Sequence, residues 1–239
     1  MSKSVWEEKD SIKLFRQLIA HEEWNIAVVS DEDVDDDEMP SILFEEDDKG
    51  KKSISIFSKE KKNDEEINFL KLKGETLFKF DFSGIDYIYV DPESESSVRI
   101  SQDMFNALGS VAEAVEVEQC LEKVHQGDES EEILEIIRDH QEYYIGIVQV
   151  DKDSYSLTGP ADEKKKDFVA VFTCFDCFET YGKWFEKSNK EQELLMTIMN
   201  GQQLFENLSK MAIEGIIFNC LGPVKSLEFP NSFIKMLKA

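Results

Sequence analysis

Apolar residues recur along this chain with two different periods, and the two periods alternate. In residues 11–29 they first recur every three or four positions, which predicts an amphipathic helix, and then gather in a short run that predicts a strand. Residues 130–150 show the same order of helix and strand. Further short apolar runs and helical patterns continue this alternation towards the end of the chain. The pattern therefore predicts an α/β chain, more narrowly an α+β fold in which helices cover a mixed sheet.

The second half of the chain repeats the pattern of the first half. Three segments of the first half align with three of the second, and apolar positions match at helical spacing and then at strand spacing. The offset changes between segments, as expected where loops and helices of two diverged copies differ in length. We therefore predict two similar tandem domains. The matched segments are 11–29 with 130–148, 52–58 with 167–173 and 85–91 with 213–219, at offsets of 119, 115 and 128 residues.

The second copy is predicted to contain a long helical region after its second strand. The apolar run 168–172 ends at the hydroxyl residue Thr173, as the equivalent run of the first copy ends at Ser58. We expect each hydroxyl to cap the helix that follows it. Aromatic residues then recur at helical spacing, and the apolar residues of 194–198 extend the helical interpretation to a stop at the Asn-Gly pair 200–201.

Acidic residues are concentrated in two segments of the chain. The 239 residues include 51 acids and 27 bases, a net charge of −24. Residues 31–48 hold eleven acids and no Lys or Arg, and residues 113–135 hold nine acids and one Lys, so the two segments supply −19 of the −24. Acids at this density avoid a core, which predicts that both segments are solvated. The predicted domains are accordingly 1–108 for the first copy, 109–127 for an acidic linker and 128–239 for the second copy.

The excess of acid excludes several classes of partner. A net charge of −24 opposes binding to a phosphate backbone or an anionic membrane surface, so we predict neither nucleic acid nor membrane as a partner. The longest apolar runs, such as 143–148, are far shorter than the roughly 20 residues that span a bilayer. Residues 1–8 carry acids where a signal peptide has an apolar stretch, and four cysteines are too few for a disulfide framework. We expect a cytoplasmic protein with reduced thiols.

Short motifs recur at strand ends in the two copies. The second copy has a strand that ends in Phe172 and Thr173 before a helix, and a later strand that ends in Asn219. The first copy has Phe57 and Ser58 at the equivalent places. These motifs resemble the SseB N-terminal domain family, bacterial proteins linked by name to enhanced serine sensitivity. The resemblance implies an α/β fold and an intracellular bacterial setting, and some family members look like immunity proteins. It implies no catalytic residues.

One cysteine pair is the strongest chemical signal in the sequence. Cys174 and Cys177 form a C-x-x-C motif at a predicted helix start, where the helix dipole favours a thiolate and a redox pair is an alternative function. The other interpretation is structural: Cys174 replaces a capping Ser, and Cys177 packs as a small apolar residue. A zinc site needs two further ligands. Cys120 and Cys220 are distant in sequence, so we predict no metal and no cofactor.

Two histidines occupy equivalent positions in the copies. His21 and His140 are separated by the offset of 119 residues and lie at predicted helix ends. A residue type that recurs at the same structural position in two copies favours a role at the helix C-terminus, through charge or capping, over a catalytic role.

Three functional hypotheses follow from these patterns. The first is a non-enzymatic interaction module, of the immunity or inhibitor type, whose acidic surface binds a basic protein through long-range steering. The second is a redox-active thiol protein that uses Cys174 and Cys177, and the third is a regulatory scaffold. No catalytic residue is predicted. The partner-contact residues predicted under the first hypothesis are Asp35, Asp36, Asp37, Glu38, Glu45 and Glu46.

Overall fold

The computed structural model describes residues 8–29, 41–61, 67–92, 94–95, 97–152 and 154–238. The chain divides into two compact units, Met1–Glu113 and Ala114–Ala239, and the division falls within a helix. Each unit is built on a mixed sheet that helices cover, which confirms the predicted fold class. No helix among the described residues is both long and apolar enough to cross a membrane.

The first unit contains three helices and six strands among its described residues. Its main strand order is β4-β1-β3-β5-β6, and β2 adds to β3. The elements are α1 (Glu8–Ile19), β1 (Trp24–Val29), β2 (Glu45–Glu46), β3 (Lys52–Phe57), β4 (Ile67–Leu72), α2 (Gly74–Leu77), β5 (Tyr87–Val90), β6 (Val98–Ser101) and the first half of α3 (Gln102–His125).

The second unit begins with the second half of α3. Its main strand order is β10-β7-β9-β11-β12, and β8 adds to β7. The remaining elements are α4 (Glu131–Asp139), β7 (Tyr143–Asp151), β8 (Ser154–Leu157), β9 (Phe168–Phe172), α5 (Phe175–Ser188), β10 (Leu194–Met199), α6 (Gly201–Ser209), β11 (Gly215–Phe218), β12 (Leu227–Pro230) and α7 (Asn231–Leu237).

The two sheets have the same strand directions and the same register. In the first sheet β3 and β5 are parallel, with Ser53 opposite Tyr87. In the second sheet β9 and β11 are parallel, with Phe168 opposite Gly215. These two pairs are related by the offsets of 115 and 128 residues, and every other neighbouring pair along the two main paths is antiparallel. The prediction of two similar tandem units is confirmed.

The helical interpretation of 194–198 is wrong, because this segment belongs to strand β10. All six residues of β10 pair with β7, from Leu194 opposite Val148 to Met199 opposite Tyr143. A six-residue apolar run fits a strand and a helical turn equally well when it is judged from spacing alone. The Asn-Gly pair at 200–201 starts helix α6 and does not end one, since the Asn side chain accepts a hydrogen bond from the third residue of α6.

The residues 109–127, which the charge pattern predicts to be a linker, lie mostly within α3. Val117, Leu121 and Val124 are spaced by three or four residues and are buried in the core of the second unit. The neighbouring acids Glu116 and Glu122 are partly exposed. The segment is therefore an amphipathic helix, in which dense acid on one side accompanies an apolar stripe on the other.

The central strand β9 of the second unit is buried on both faces. Val169 and Val171 join the core that includes α4, α6 and α7. Phe168, Ala170 and Phe172 join a separate core beneath α5. Successive side chains of a strand point to opposite faces, so a strand between two cores is apolar throughout. Thr173, the polar residue that follows β9, is therefore held in place at the buried end of this strand.

Candidate functional site

The carboxyl ends of the parallel strands β9 and β11 bring two polar residues together. Thr173 follows β9 and Asn219 follows β11, and both are buried. The backbone N–H of Thr173 donates to Oδ1 of Asn219 at 2.9 Å, and Nδ2 of Asn219 donates to Oγ1 of Thr173 at 3.0 Å. Asn219 adopts a φ of 52°, in the left-handed region that Asn tolerates better than most residues. These contacts fix the ends of both strands.

His140 connects the end of helix α4 to the same position. It is the C-cap residue of α4 and is buried, and its Nε2 lies 3.2 Å from the carbonyl oxygen of Thr173. The predicted place at a helix end is correct. The ring, however, contacts the end of β9. We call His140, Thr173 and Asn219 the second centre.

The first unit contains the same arrangement with different side chains. Nε2 of His21 lies 3.2 Å from the carbonyl oxygen of Ser58. The backbone N–H and the hydroxyl of Ser58 donate to the two carboxylate oxygens of Asp91, at 2.8 and 2.5 Å. Asp91 also has a positive φ, 47°. We call His21, Ser58 and Asp91 the first centre.

The Thr173 hydroxyl does not cap helix α5, so this part of the sequence prediction is wrong. The N-cap residue is Cys174, whose side chain makes no capping hydrogen bond. Oγ1 of Thr173 donates instead to Oε1 of Glu118 in α3, at 2.7 Å. The reason is distance in sequence: Glu118 lies 55 residues before Thr173, and no local pattern reveals this contact.

Two thiols and one carboxylate meet at the start of α5. The Sγ atoms of Cys174 and Cys177 are 3.3 Å apart, and Sγ of Cys174 lies 3.8 Å from Oε1 of Glu118. The three ligand atoms all lie within 4.8 Å of one another. Cys174 is 5% exposed and Cys177 is fully buried, whereas Glu118 is partly exposed. We call these three residues the thiol–carboxylate cluster.

The surroundings of Cys177 oppose its ionisation. The hydrogen bond with Cys174, followed by burial and the nearby charges of Asp176 and Glu118, holds the pKa of the Cys177 thiol well above its usual range. Burial also raises the pKa of the Cys220 thiol to about 12. A free Cys177 is therefore a poor nucleophile, because the thiolate is the reactive form.

A cavity of about 200 Å³ adjoins the cluster and the second centre. Glu118 and Asn219 line it together with Lys225 and Leu227. All four residues belong to the second unit. Glu118 is the residue that the cavity shares with the cluster, and Asn219 is the one that it shares with the second centre.

The predicted partner-contact residues fall into two groups. Asp35, Asp36, Asp37 and Glu38 lie outside the described residues. Glu45 and Glu46 form β2, pair with β3 and are exposed to solvent. The next acid of this segment, at 47, accepts hydrogen bonds from the backbone N–H groups of residues 51 and 49, which hold the pKa of its carboxyl below its usual value. This acid organises a turn.

A second concentration of acids runs from α3 through α4 to Glu142, just before β7. Residues 116–142 hold ten acids and two cations, Lys123 and Arg138, for a net charge of −8. Arg138 forms ion pairs with Glu131 and Glu135, at 3.5 Å each, and also with Asp139. We call the acids of 116–142 the acidic surface. The sequence showed its charge, but placed much of it in a linker.

Comparisons with known proteins add little to this description. No protein-family model matches the chain, and no curated protein matches it in sequence. One solved structure with some likeness is Anabaena Tic22, described as a protein of protein transport. The alignment covers 84% of this chain and 87% of that chain, with 5% sequence identity and a TM-score of 0.22. A TM-score at this level carries no argument about fold or function.

Proposed function

We propose that the protein is a non-enzymatic interaction module whose acidic surface binds a basic protein. The observation that carries the proposal is that most acids of this surface lie on two helices, α3 and α4, whose apolar sides pack in the core of the second unit. Ile133, Leu134 and Ile137 fix α4 in the core of the second unit, while Glu129 and Glu132 are exposed. Charges held on an ordered surface attract a partner at long range and lose little freedom on binding.

The chemistry of the partner follows from this surface. A net charge of −8 within 27 residues fits a protein face rich in Lys and Arg, such as the face of an enzyme that acts on nucleic acid. This partner class agrees with the resemblance of some members of the SseB N-terminal domain family to immunity proteins. Membership of that family and a cytoplasmic location remain proposals. The sequence motif of Phe172, Thr173 and Asn219 supports the first of them.

A pull-down from lysate of the source cell tests the interaction. We expect the immobilised chain to capture a basic protein at about 0.15 M salt, where exposed charges are partly screened, and to release it at higher salt. The double variant Glu129→Gln/Glu132→Gln should capture clearly less. The matched control is Glu186→Gln/Glu191→Gln, which removes two other exposed acids of the second unit and should capture as much as the wild type. Equal capture by both variants, or no basic protein captured, contradicts the proposal.

The redox hypothesis is a second candidate, and one observation favours it. The Sγ atoms of Cys174 and Cys177 are only 3.3 Å apart at a helix start. Equilibration in glutathione buffers of graded potential, followed by alkylation and mass spectrometry, tests it. A redox pair gives a reversible two-electron loss of both thiols that Cys177→Ser abolishes. Thiols that stay reduced over the range of cellular potentials contradict it. The regulatory scaffold stays a hypothesis without a supporting contact.

A further inference from the structure

The thiol–carboxylate cluster has the composition of a metal site. Within the part of the chain that the structure describes, Glu118, Cys174 and Cys177 are the one group of three ligand-bearing side chains that converges in this way. We propose that these residues bind Zn²⁺ through two thiolates and one carboxylate oxygen, and that the fourth position faces solvent or a partner molecule. The proposal does not depend on the interaction with a basic protein.

The distances within the cluster are close to the edges of a zinc tetrahedron. With Zn–S bonds of about 2.3 Å and a Zn–O bond of about 2.1 Å, two sulfurs are about 3.8 Å apart, and a sulfur and an oxygen about 3.6 Å. The structure has 3.3 Å between the sulfurs and 3.8 Å between Sγ of Cys174 and Oε1 of Glu118. These two distances differ from the tetrahedral edges by about 0.5 Å or less, and the third pair, Sγ of Cys177 and a carboxylate oxygen of Glu118, lies within 4.8 Å. A disulfide requires the sulfurs to approach to about 2.05 Å, a much larger change.

Hydrogen bonds orient the carboxylate of the cluster. Oγ1 of Thr173 donates to Oε1 of Glu118 and accepts from Nδ2 of Asn219, so a chain of two bonds fixes the acid. Partners of this kind hold the ligands of metal sites in position. The donor set of two sulfurs and one oxygen suits Zn²⁺ and disfavours Mg²⁺ and Ca²⁺, which prefer oxygen ligands alone.

The charge balance of binding is simple. Zn²⁺ enters, two thiol protons leave to solvent, and the complex of the ion, two thiolates and one carboxylate carries a net charge of −1. No electron moves. The N-terminus of the 14-residue helix α5, at which Cys174 is the N-cap, lies beside this charge and favours it through the helix dipole.

The first unit has no thiol at the position that corresponds to Cys174. At the offset of 115 residues, Lys59 occupies the position of Cys174. A cation at this position opposes metal binding, and the first centre has the carboxylate of Asp91 bonded to Ser58 instead. We therefore expect one metal site per chain.

Titration of the reduced full-length chain tests the proposal. Competition against a chromophoric chelator should show one Zn²⁺ per chain, and Co²⁺ should give a thiolate-to-cobalt absorption band in the near ultraviolet. The band reports sulfur ligands in the wild type, so the test does not depend on how well a variant folds. Cys174→Ser, Cys177→Ser and Glu118→Gln should each weaken Zn²⁺ binding by at least about tenfold, the lower end of what losing an outer partner costs. The matched control is Cys120→Ser, a buried thiol outside the cluster, which should bind as the wild type does.

Three outcomes overturn the proposal. The first is a reduced wild-type chain that binds no Zn²⁺ at one equivalent. The second is a Co²⁺ complex without a thiolate band, and the third is unchanged affinity in both Cys174→Ser and Cys177→Ser. A chain that forms a reversible Cys174–Cys177 disulfide and also fails to bind zinc supports the redox function instead. Loss of zinc binding by Cys174→Ser and Cys177→Ser, which leave every acid of the acidic surface in place, with an intact interaction with a basic protein separates this proposal from the proposed function.

Discussion

The two units share a set of backbone contacts around their centres, which we call the skeleton. They differ in the side chain that ends the second parallel strand of each sheet. In both, a histidine that follows a helix, α1 or α4, contacts the carbonyl of a hydroxyl residue, at 3.2 Å in each case. In both, the backbone N–H of that hydroxyl residue donates to a side chain at the end of the neighbouring parallel strand. That side chain is the charged Asp91 in the first unit and the neutral Asn219 in the second. The backbone N–H of the hydroxyl residue is thus bonded in both units, by a carboxylate in the first and by an amide oxygen in the second.

The carboxylate that accepts from the hydroxyl residue comes from a different element in each unit. In the first centre the hydroxyl of Ser58 donates to Asp91 itself. In the second centre the hydroxyl of Thr173 donates to Glu118 of helix α3, which also lies beside the thiol of Cys174. Replacing Asp by Asn leaves the Thr hydroxyl free to orient an acid from elsewhere. The skeleton is therefore structural, and only the second unit adds a group able to bind a ligand.

The largest loss of stability is expected at two equivalent glycines, Gly74 and Gly201, where neighbouring backbone leaves no room for a side chain. A Cβ at Gly201 would lie 2.3 Å from the carbonyl oxygen of Arg138, and one at Gly74 would lie 2.4 Å from that of Ile19. The backbone N–H of Gly74 also donates to the carbonyl of His21, and that of Gly201 donates to the carbonyl of His140. Because the obstacle is backbone in each case, Gly201→Ala and Gly74→Ala should each reduce the free energy of unfolding by about 3 kcal/mol or more.

Hydrogen exchange followed by mass spectrometry measures this loss unit by unit. Exchange should accelerate in β9 for Gly201→Ala and in β3 for Gly74→Ala. The control is Gly127→Ala, where nothing lies within 4 Å but the φ of 99° adds a local strain. It should cost clearly less than either. A loss in one unit without a similar loss in the other would show that the skeletons are not equivalent.

The second expected effect separates the two centres. Asn219→Ala removes two buried hydrogen bonds to Thr173 and should cost about 2–3 kcal/mol, because an unpaired buried group loses its full desolvation energy. Asp91→Ala should cost about 1–2 kcal/mol, since Asp91 and Ser58 are partly exposed and water replaces the lost partner. Urea denaturation monitored by circular dichroism gives both values.

A matched substitution isolates the role of charge. Asn219→Asp gives the second centre the acid of the first and places it near Glu118, so we expect a loss of stability that increases as pH rises through the carboxylate range. Asp91→Asn makes the reverse change and should be well tolerated. Equal costs for Asp91→Ala and Asn219→Ala would contradict the view that burial distinguishes the centres.

Much of the fold follows from the sequence because sheet register depends on apolar positions. The offsets of 119 and 115 residues relate the pair Asn25–Phe57 to the pair Tyr144–Phe172, and the structure shows both pairs in register. A residue shifted by one position would turn its side chain to the wrong face. Alignment of apolar classes between two copies therefore predicts strand pairing as well as strand position.

Other features were beyond sequence reasoning for physical reasons. The six residues of β10 are too few for spacing to distinguish a strand from a helix. The acids of α3 obscured the buried stripe at Val117, Leu121 and Val124, since average charge says nothing about which side of a helix faces a core. Glu118 lies 56 residues from Cys174, so their contact arises only from tertiary structure. The cysteine pair was visible in the sequence, but its third potential ligand was not.

The smallest expected change in stability concerns Tyr143 and its equivalent Trp24, of which only the tyrosine can ionise. The hydroxyl of Tyr143 donates to the carbonyl of Ile137 at 2.7 Å, and Nε1 of Trp24 donates to that of Leu18 at 3.0 Å. Burial raises the pKa of Tyr143 well above 10 in the folded chain, whereas the unfolded chain loses this proton from about pH 10. Above that pH the folded state binds more protons than the unfolded state, so the stability supplied by Tyr143 falls as pH rises.

Paired variants isolate this titration from that of the other tyrosines and lysines. Tyr143→Phe should cost about 1 kcal/mol at pH 8, the worth of one hydrogen bond, and the difference from wild type should shrink as pH rises above about 10. Trp24→Phe removes the equivalent bond from a group that does not ionise, so its cost should stay constant over the same range. Urea denaturation from pH 8 to about pH 11 measures both differences. A constant cost for Tyr143→Phe would mean that the phenol gains access to water and ionises in the folded chain, and the buried contact that the two units share would then hold only in the first.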